Sequence, residues 1–253
     1  MLQLTRPRLR DPRVVPTRPV RINRRHPLAA GLVFCMPGPG LVDLVGRVKG
    51  PSPLAANAVT VGDCGPVMGY ANGANSFRSV TDAWVAGVVS DPVLGALGIN
   101  GVPVTAMAGF VSAVSPANGQ PQGSLSYGYN IYQQWQLKPE NYNGNWRPYF
   151  SNRNSISPYL VSPGVLAAGE SATVIGAFDG VGTCWVGSKR ARGSYLAASG
   201  AMTPYVAPTS PGLGCSVQAD ASGFAFSVWA ALLSPGLMEW AATLPFDMLE
   251  PDE

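Results

Sequence analysis

The stretch SATVIGAFDGVGTCWVGS, residues 171–188, carries the clearest fold signal in the chain. Two apolar runs, residues 171–178 and 183–188, flank an Asp179-Gly180 pair that adopts a positive φ easily. Both runs have the length of a strand and contain β-branched and aromatic residues. The stretch therefore predicts a β-hairpin, and with it an antiparallel sheet.

The same pattern of apolar runs separated by turn residues continues along the chain from residue 31 onward. Short apolar or alternating runs are bounded by Gly, Pro, Asn and Asp, which is typical of a β-sandwich or barrel. Two of the runs are about twice the usual strand length, as the long strands of a jelly roll require. Candidate strands cover residues 31–36, 58–61, 67–70, 76–80, 102–115, 125–137, 146–151, 171–178, 183–188, 213–218 and 224–233.

Composition also favours strands over helices. The chain holds 30 glycines and 24 prolines, and only 12% of its residues are charged, so the usual fillers of exposed helix faces are scarce. One short helix is predicted near the end, where Ser234 can cap, Pro235 fits the first helical position and Pro245 stops the helix. We expect an all-β body over residues 28–253 with one short C-terminal helix.

The density of prolines in residues 1–27 predicts an extended arm, because five prolines in 27 residues are too many for a helix. The arm has one acid, Asp11, and a net charge of +7, so the remaining chain sums to −4. Valine and isoleucine anchors favour docking on a neighbouring subunit over a disordered tail. Nucleic acid is disfavoured as a partner because the arm lacks aromatic residues for base stacking. The docking residues are the eight arginines Arg6, Arg8, Arg10, Arg13, Arg18, Arg21, Arg24 and Arg25.

The sequence offers little for catalysis, metal binding or cofactors. The four cysteines form no C-x-x-C pair, and His26 is the single histidine, so zinc and acid–base chemistry are disfavoured. Glycine-rich loops are followed by neither a helix nor a lysine, and no paired glutamates alternate on a strand. We expect no enzyme, metal or cofactor, buried thiols at Cys35, Cys184 and Cys215, and a packed polar role for His26. An apolar leader and a membrane-spanning stretch are absent from the sequence, which predicts synthesis in a reducing compartment.

One segment concentrates aromatic, amide and arginine side chains beside a long predicted strand. Aromatic faces stack on sugars and amides bind hydroxyls, whereas Trp, Tyr and Arg also dominate protein–protein contacts. Subunit contact, ordinary packing and glycan binding all remain open for this segment, in that order of preference. The candidate contact residues are Tyr142, Asn143, Asn145, Trp146, Arg147 and Tyr149.

Two terminal segments resemble the laminin-G-like, concanavalin A-like domains of virion structural proteins from tailed bacteriophages. INRRHPLAAGLVFCMPGPGLVDLVGR, residues 22–47, resembles the opening strand and loop of that group. FSVWAALLSPGLMEWAATLPFDMLEP, residues 224–251, resembles its last strand, short helix and tail. Residues 245–247 are Pro-Phe-Asp where that group commonly has Asn-Pro-Trp, and the arm is unusually rich in arginine.

The resemblance implies a concanavalin A-like jelly-roll β-sandwich whose first and last strands lie close together. The helix after the last strand is then expected on an open sheet edge. It further implies a virion protein made in the host cytoplasm, and we expect a homo-oligomer that decorates the capsid through its arm. The alternative is a carbohydrate- or receptor-binding module of a phage tail or fibre.

Overall fold

A computed structural model gives the fold of the chain. It describes residues 16, 19–37, 43–47, 59–61, 77–79, 83–85, 91–111, 120–121, 123–129, 132–153, 155–160, 162–163, 167, 170–207, 212–217 and 222–252. The strands are β1 (Val20–Ile22), β2 (Leu32–Met36), β3 (Val59–Val61), β4 (Phe77–Ser79), β5 (Ala83–Val85), β6 (Val104–Val111), β7 (Gln120–Pro121), β8 (Gly123–Tyr129), β9 (Tyr132–Tyr142), β10 (Asn145–Asn152), β11 (Ser155–Tyr159), β12 (Ser162–Pro163), β13 (Ser171–Phe178), β14 (Thr183–Arg190), β15 (Tyr195–Ala201), β16 (Gly212–Val217), β17 (Ser222–Trp229) and β18 (Leu249–Pro251). The helices are a 3-10 turn (Pro27–Ala29), α1 (Pro92–Ala96) and α2 (Pro235–Thr243).

Two antiparallel sheets form the body. The front sheet runs β11-β10-β9-β8-β16-β5, with β12 beside β10 and β7 beside β9. The back sheet runs β15-β14-β13-β6-β17-β4-β3, and β2 also pairs with β17. Some neighbouring strands are distant in sequence, such as β8 with β16 and β6 with β17. The order of strands in each sheet therefore differs from their order along the chain.

The main core fills the space between the sheets, because one face of each long strand is apolar. Trp135, Trp146 and Phe150 of the front sheet are fully buried in this core. They pack with back-sheet residues that include Val174 and Phe178.

A second core lies on the other face of the back sheet. There Ile175 and Ala177 of β13 are buried with Met238 and Ala241 of α2. The helix thus covers the face of β13 and β14, because its buried side chains meet outward apolar residues of those strands. The prediction that this helix sits on an open sheet edge is therefore wrong.

The two ends of the described chain meet at this second core. β1 pairs with β18, with Ile22 opposite Leu249, and β2 pairs with β17. The indole of Trp229 donates a hydrogen bond of 2.6 Å to the carbonyl of Leu28. The prediction that the first and last strands lie together is confirmed.

Most predicted strands are confirmed to within a few residues, and the β13–β14 hairpin begins and ends close to the predicted bounds. The predicted strand over residues 125–137 is wrong, because β8 and β9 are two strands that pair antiparallel with Leu125 opposite Leu137. β5, β11, β15 and α1 were not predicted. The candidate strand over residues 67–70 lies outside the described residues.

Helix α2 begins after Ser234, whose hydroxyl accepts from the N–H of Leu237, with Pro235 in its first turn. This confirms the predicted cap, and the helix ends at Thr243, just before Pro245. Within the described part of the chain, no helix is long and apolar enough to cross a membrane.

Candidate functional site

The outer face of the front sheet carries the predicted aromatic segment on the β9–β10 hairpin. Its turn is Asn143-Gly144, with φ of 50° and 74°, which suits a two-residue turn with both central residues left-handed. Register pairs Tyr142 with Asn145, and Arg147 with Glu140. Because side chains alternate across a strand, these residues share one face while Trp146 and Phe150 point into the core.

An arginine lies between two tyrosine rings on this face. The Cζ of Arg147 is 4.0 Å from the ring centroid of Tyr142 and 4.8 Å from that of Tyr159. Tyr142 is 40% exposed and Tyr159 is 48% exposed, which makes them two of the most exposed large hydrophobic side chains described. We call Tyr142, Arg147 and Tyr159 the Tyr–Arg cluster.

The side chains of Tyr149 and Lys138 lie next to the Tyr–Arg cluster. Arg147 Nη1 donates to the hydroxyl of Tyr149 at 3.4 Å, and the rings of Tyr149 and Tyr159 lie 6.0 Å apart. Lys138 Nζ is 5.4 Å from the centroid of the Tyr149 ring. The cluster is therefore supported by a half-buried layer, which limits the conformational freedom that a ligand would have to remove.

The charges on this face are unevenly matched. Lys138 forms an ion pair of 3.2 Å with Glu140, whereas no carboxylate of the described residues forms an ion pair with Arg147. The hydrogen bond that Arg147 donates to the hydroxyl of Tyr149 raises the pKa of Arg147, so the guanidinium stays charged. The face offers one positive charge between two exposed aromatic rings.

The predicted contact residues are only partly brought together. Tyr142, Asn143, Asn145, Arg147 and Tyr149 follow the outer side or the turn of the hairpin. Trp146 is completely buried and packs between the sheets, so the prediction that it contacts a ligand or partner is wrong.

Tyr159 belongs to the cluster but was missed from the sequence. It lies on β11, a segment that was not among the candidate strands and that contains Pro158. Because β11 is an edge strand that pairs with β10 in the front sheet, it tolerates a proline.

The predicted docking arginines lie mostly outside the described residues. These are Arg6, Arg8, Arg10, Arg13 and Arg18, whereas Arg21, Arg24 and Arg25 are described. Arg21 Nε lies 2.9 Å from Glu250 Oε1, so its charge is engaged by its own chain. The docking of Arg21 on a neighbouring subunit stays a prediction, since its side chain is 56% exposed.

The described part of the chain contains no group of three or more His, Cys, Asp or Glu residues that could hold a metal ion. Cys35 and Cys184 are buried cysteines, as predicted, and burial raises the pKa of each thiol to about 12. His26 Nδ1 accepts from the N–H of Leu28, and its Nε2 lies 3.3 Å from Asp247 Oδ2. His26 is thus the packed polar residue that the sequence predicted.

Comparison with known proteins identifies the fold. No family model matches the chain, and no curated protein matches its sequence. Among solved structures, the binding domain of botulinum neurotoxin DC in complex with SialylT matches with a TM-score of 0.53 and 10% identity over 85% of this chain. The binding domain of botulinum neurotoxin serotype D matches with a TM-score of 0.52 and 11% identity over 87% of this chain.

The chain spans about half the length of these toxin domains, 52% of each. The globular domain of T. cruzi calreticulin matches with a TM-score of 0.51 and 7% identity, over 84% of this chain and 92% of that one. These likenesses support the fold alone. The chain is a concanavalin A-like jelly-roll β-sandwich.

Proposed function

We propose that this protein is a non-enzymatic binding module that recognises a glycan through the Tyr–Arg cluster. The observation that carries the proposal is the exposure of two tyrosine rings, Tyr142 and Tyr159, on either side of Arg147. Exposed aromatic rings stack on the apolar faces of sugars. Arginine and turn amides supply hydrogen-bond donors for hydroxyls.

The supporting sheet makes the cluster suitable for binding. Tyr142 and Arg147 sit on paired strands of one hairpin, and Tyr159 sits on the next strand of the same sheet. A site on strands is held more firmly than a site on a long loop. The similar neurotoxin DC domain has been solved in complex with SialylT, which supports a binding role for a sandwich of this kind.

A glycan array tests the proposal. We expect the wild-type protein to bind a subset of glycans, and Tyr142→Ala and Tyr159→Ala each to lose binding by roughly tenfold or more, since each removes a stacking surface. Leu232→Ala is the matched control, because Leu232 is 42% exposed and lies outside the cluster. Unchanged binding by both tyrosine variants would contradict the proposal.

We further propose that the module works in the virion of a tailed bacteriophage, as part of a tail or fibre. The resemblance of the two terminal segments to phage virion domains supports this placement. A homo-oligomer fits the same proposal, because several copies raise the effective affinity for a repeated surface glycan.

Capsid decoration is a second candidate, supported by the basic arm and by the pairing of β1 with β18. The pairing places Val20 beside Pro251, and this candidate assigns contact with a neighbouring virion protein to the residues before Val20. Deleting residues 1–19 tests this candidate, because the deletion spares β1 and the buried Ile22. Loss of particle attachment with a folded body would support decoration, and full attachment would exclude an anchoring arm.

A further inference from the structure

We infer that the Tyr–Arg cluster selects glycans that carry a carboxylate, with Arg147 as the counter-charge. This inference rests on the proposed glycan-binding function and deepens it, since it names the chemical class of the ligand. It follows from the charge balance of the face, the geometry of the stacked guanidinium and the state of its donors.

The charge balance singles out Arg147. Glu140 lies opposite Arg147 in register, yet its carboxylate is 3.2 Å from Lys138 Nζ. No described carboxylate forms an ion pair with Arg147, so one positive charge remains on the face. A ligand with a negative group supplies the missing partner.

Two tyrosine rings lie close to the guanidinium of Arg147. The ring centroids of Tyr142 and Tyr159 are 4.0 Å and 4.8 Å from the Cζ of Arg147. The N–H donors of a guanidinium lie in its plane, in a fork that matches the two oxygens of a carboxylate.

The donors are also incompletely used. Arg147 Nη1 makes a long bond of 3.4 Å to the hydroxyl of Tyr149. Arg147 Nε is buried and has no hydrogen-bond partner among the described residues. An arginine held for structure alone is expected to satisfy more of its donors.

The flanking rings favour an acidic sugar over a free anion. Tyr142 and Tyr159 expose large apolar areas on both sides of the charge, and a small inorganic anion would leave these areas in water. A sugar ring that carries a carboxylate covers an aromatic face and reaches the guanidinium edge at once. The ligand class is therefore an oligosaccharide with uronate or similar acidic residues.

The test compares an oligogalacturonate with its methyl ester, in which each negative carboxylate is replaced by a neutral ester. For the wild-type protein, we expect isothermal titration calorimetry to show roughly tenfold tighter binding of the acid, because hydrogen bonds to charged groups are the stronger ones. The preference should shrink when salt is raised to about 1 M. A sulfated oligosaccharide and free acetate form two further arms, which separate a carboxylate sugar from other anions.

Arg147→Gln should bind the acid and the ester equally, and Arg147→Lys should keep a reduced preference. Arg192→Gln is the matched control, because it removes an exposed charge in the turn between β14 and β15 of the back sheet and should retain the full preference. The salt dependence of the wild-type protein needs no variant, so the test survives if Arg147→Gln fails to fold.

The outcomes separate the inference from the proposed function. Equal wild-type binding of acid and ester, or tighter binding of the sulfated sugar, overturns the carboxylate inference and leaves glycan binding intact. Tight binding of free acetate shows a simple anion site and also overturns it. A complete lack of binding across an array of acidic and neutral glycans overturns both.

Discussion

Arg21 and Glu250 form an ion pair of 2.9 Å between residues that are 229 positions apart. The pair closes the body where β1 meets β18, and Arg21 Nη1 also lies 3.8 Å from Asp252. The two terminal segments that resemble phage virion domains are thus neighbours in space. Part of the predicted arm, residues 19–22, is therefore bound to β18 and Asp252.

This ion pair should contribute little to stability. The Arg21 side chain is 56% exposed, and exposed pairs contribute about 0–1 kcal/mol. A double-mutant cycle with Arg21→Ala and Glu250→Ala, followed by urea unfolding, should give a coupling below about 1 kcal/mol that disappears in 1 M salt. A large coupling that salt leaves unchanged would contradict this reading of the pair.

The ion pair between Glu170 and Arg190 should contribute more. Arg190 donates to both carboxylate oxygens of Glu170 at 2.7 and 2.8 Å, and the Glu170 side chain is only 7% exposed. Glu170→Ala should lower the free energy of unfolding by roughly 2–4 kcal/mol, because the arginine loses its buried partner. Chemical denaturation measures this loss, and a cost no larger than that of Glu250→Ala would be the contrary result.

Packing between the sheets can be tested at Gly176. A Cβ at this position on β13 would overlap the ring of Phe150 from the front sheet. Gly176→Ala should therefore lower the free energy of unfolding by about 1–3 kcal/mol through overpacking. Gly182→Ala is the control, because nothing lies within 4 Å of its added Cβ. Similar stabilities for the two variants would mean that the sheets do not meet at this point.

The cap of α2 should be replaceable by another good cap. The Ser234 hydroxyl accepts from the N–H of Leu237 at 3.4 Å. Ser234→Ala should cost about 1 kcal/mol in thermal or urea unfolding, whereas Ser234→Asp should restore most of that stability. Equal losses in both variants would show that the serine acts through something other than capping.

Buried thiols should make the fold sensitive to alkaline pH. Burial raises the pKa of Cys35 to about 12 from a model-peptide value of 9.0, so folding favours the protonated thiol. This contribution is fully present below pH 9 and is lost as the pH rises from 9 toward 12. Urea unfolding between pH 8 and pH 11 should show a shallower loss of stability for Cys35→Ala than for the wild-type protein.

Val33→Ala is the control for this pH series, because it shortens a neighbouring buried side chain without removing a titrating group. It should keep the wild-type slope even though it lowers stability. Parallel slopes for all three proteins would contradict a buried titrating thiol at Cys35.

The hairpin of β13 and β14 could be predicted from the sequence because a turn signal separates its strands. The hairpin of β8 and β9 could not. Leu125 and Tyr127 of β8 and Trp135 and Leu137 of β9 are all odd-numbered and all buried. The alternation of buried and outward residues therefore continues without a break across the connection between the two strands. The alternating pattern cannot reveal a reversal of chain direction when the buried residues stay odd-numbered on both sides of the connection.

The candidate site shows a similar limit. Trp146, Arg147, Tyr149 and Phe150 put aromatic residues on both faces of β10, so the sequence alone does not say which face is the core. The structure buries Trp146 and Phe150 completely and leaves Arg147 outside. Tyr159 joins the cluster only through the pairing of β10 with β11, which is a tertiary relationship.

The most direct measurement of glycan binding is an NMR titration of the protein labelled at its tyrosine rings. On addition of a glycan selected from the array, the ring signals of Tyr142 and Tyr159 should shift together, while that of Tyr127, which is buried between the sheets, should stay in place. A glycan that binds while the signals of Tyr142 and Tyr159 remain unchanged would contradict the Tyr–Arg cluster as the binding site.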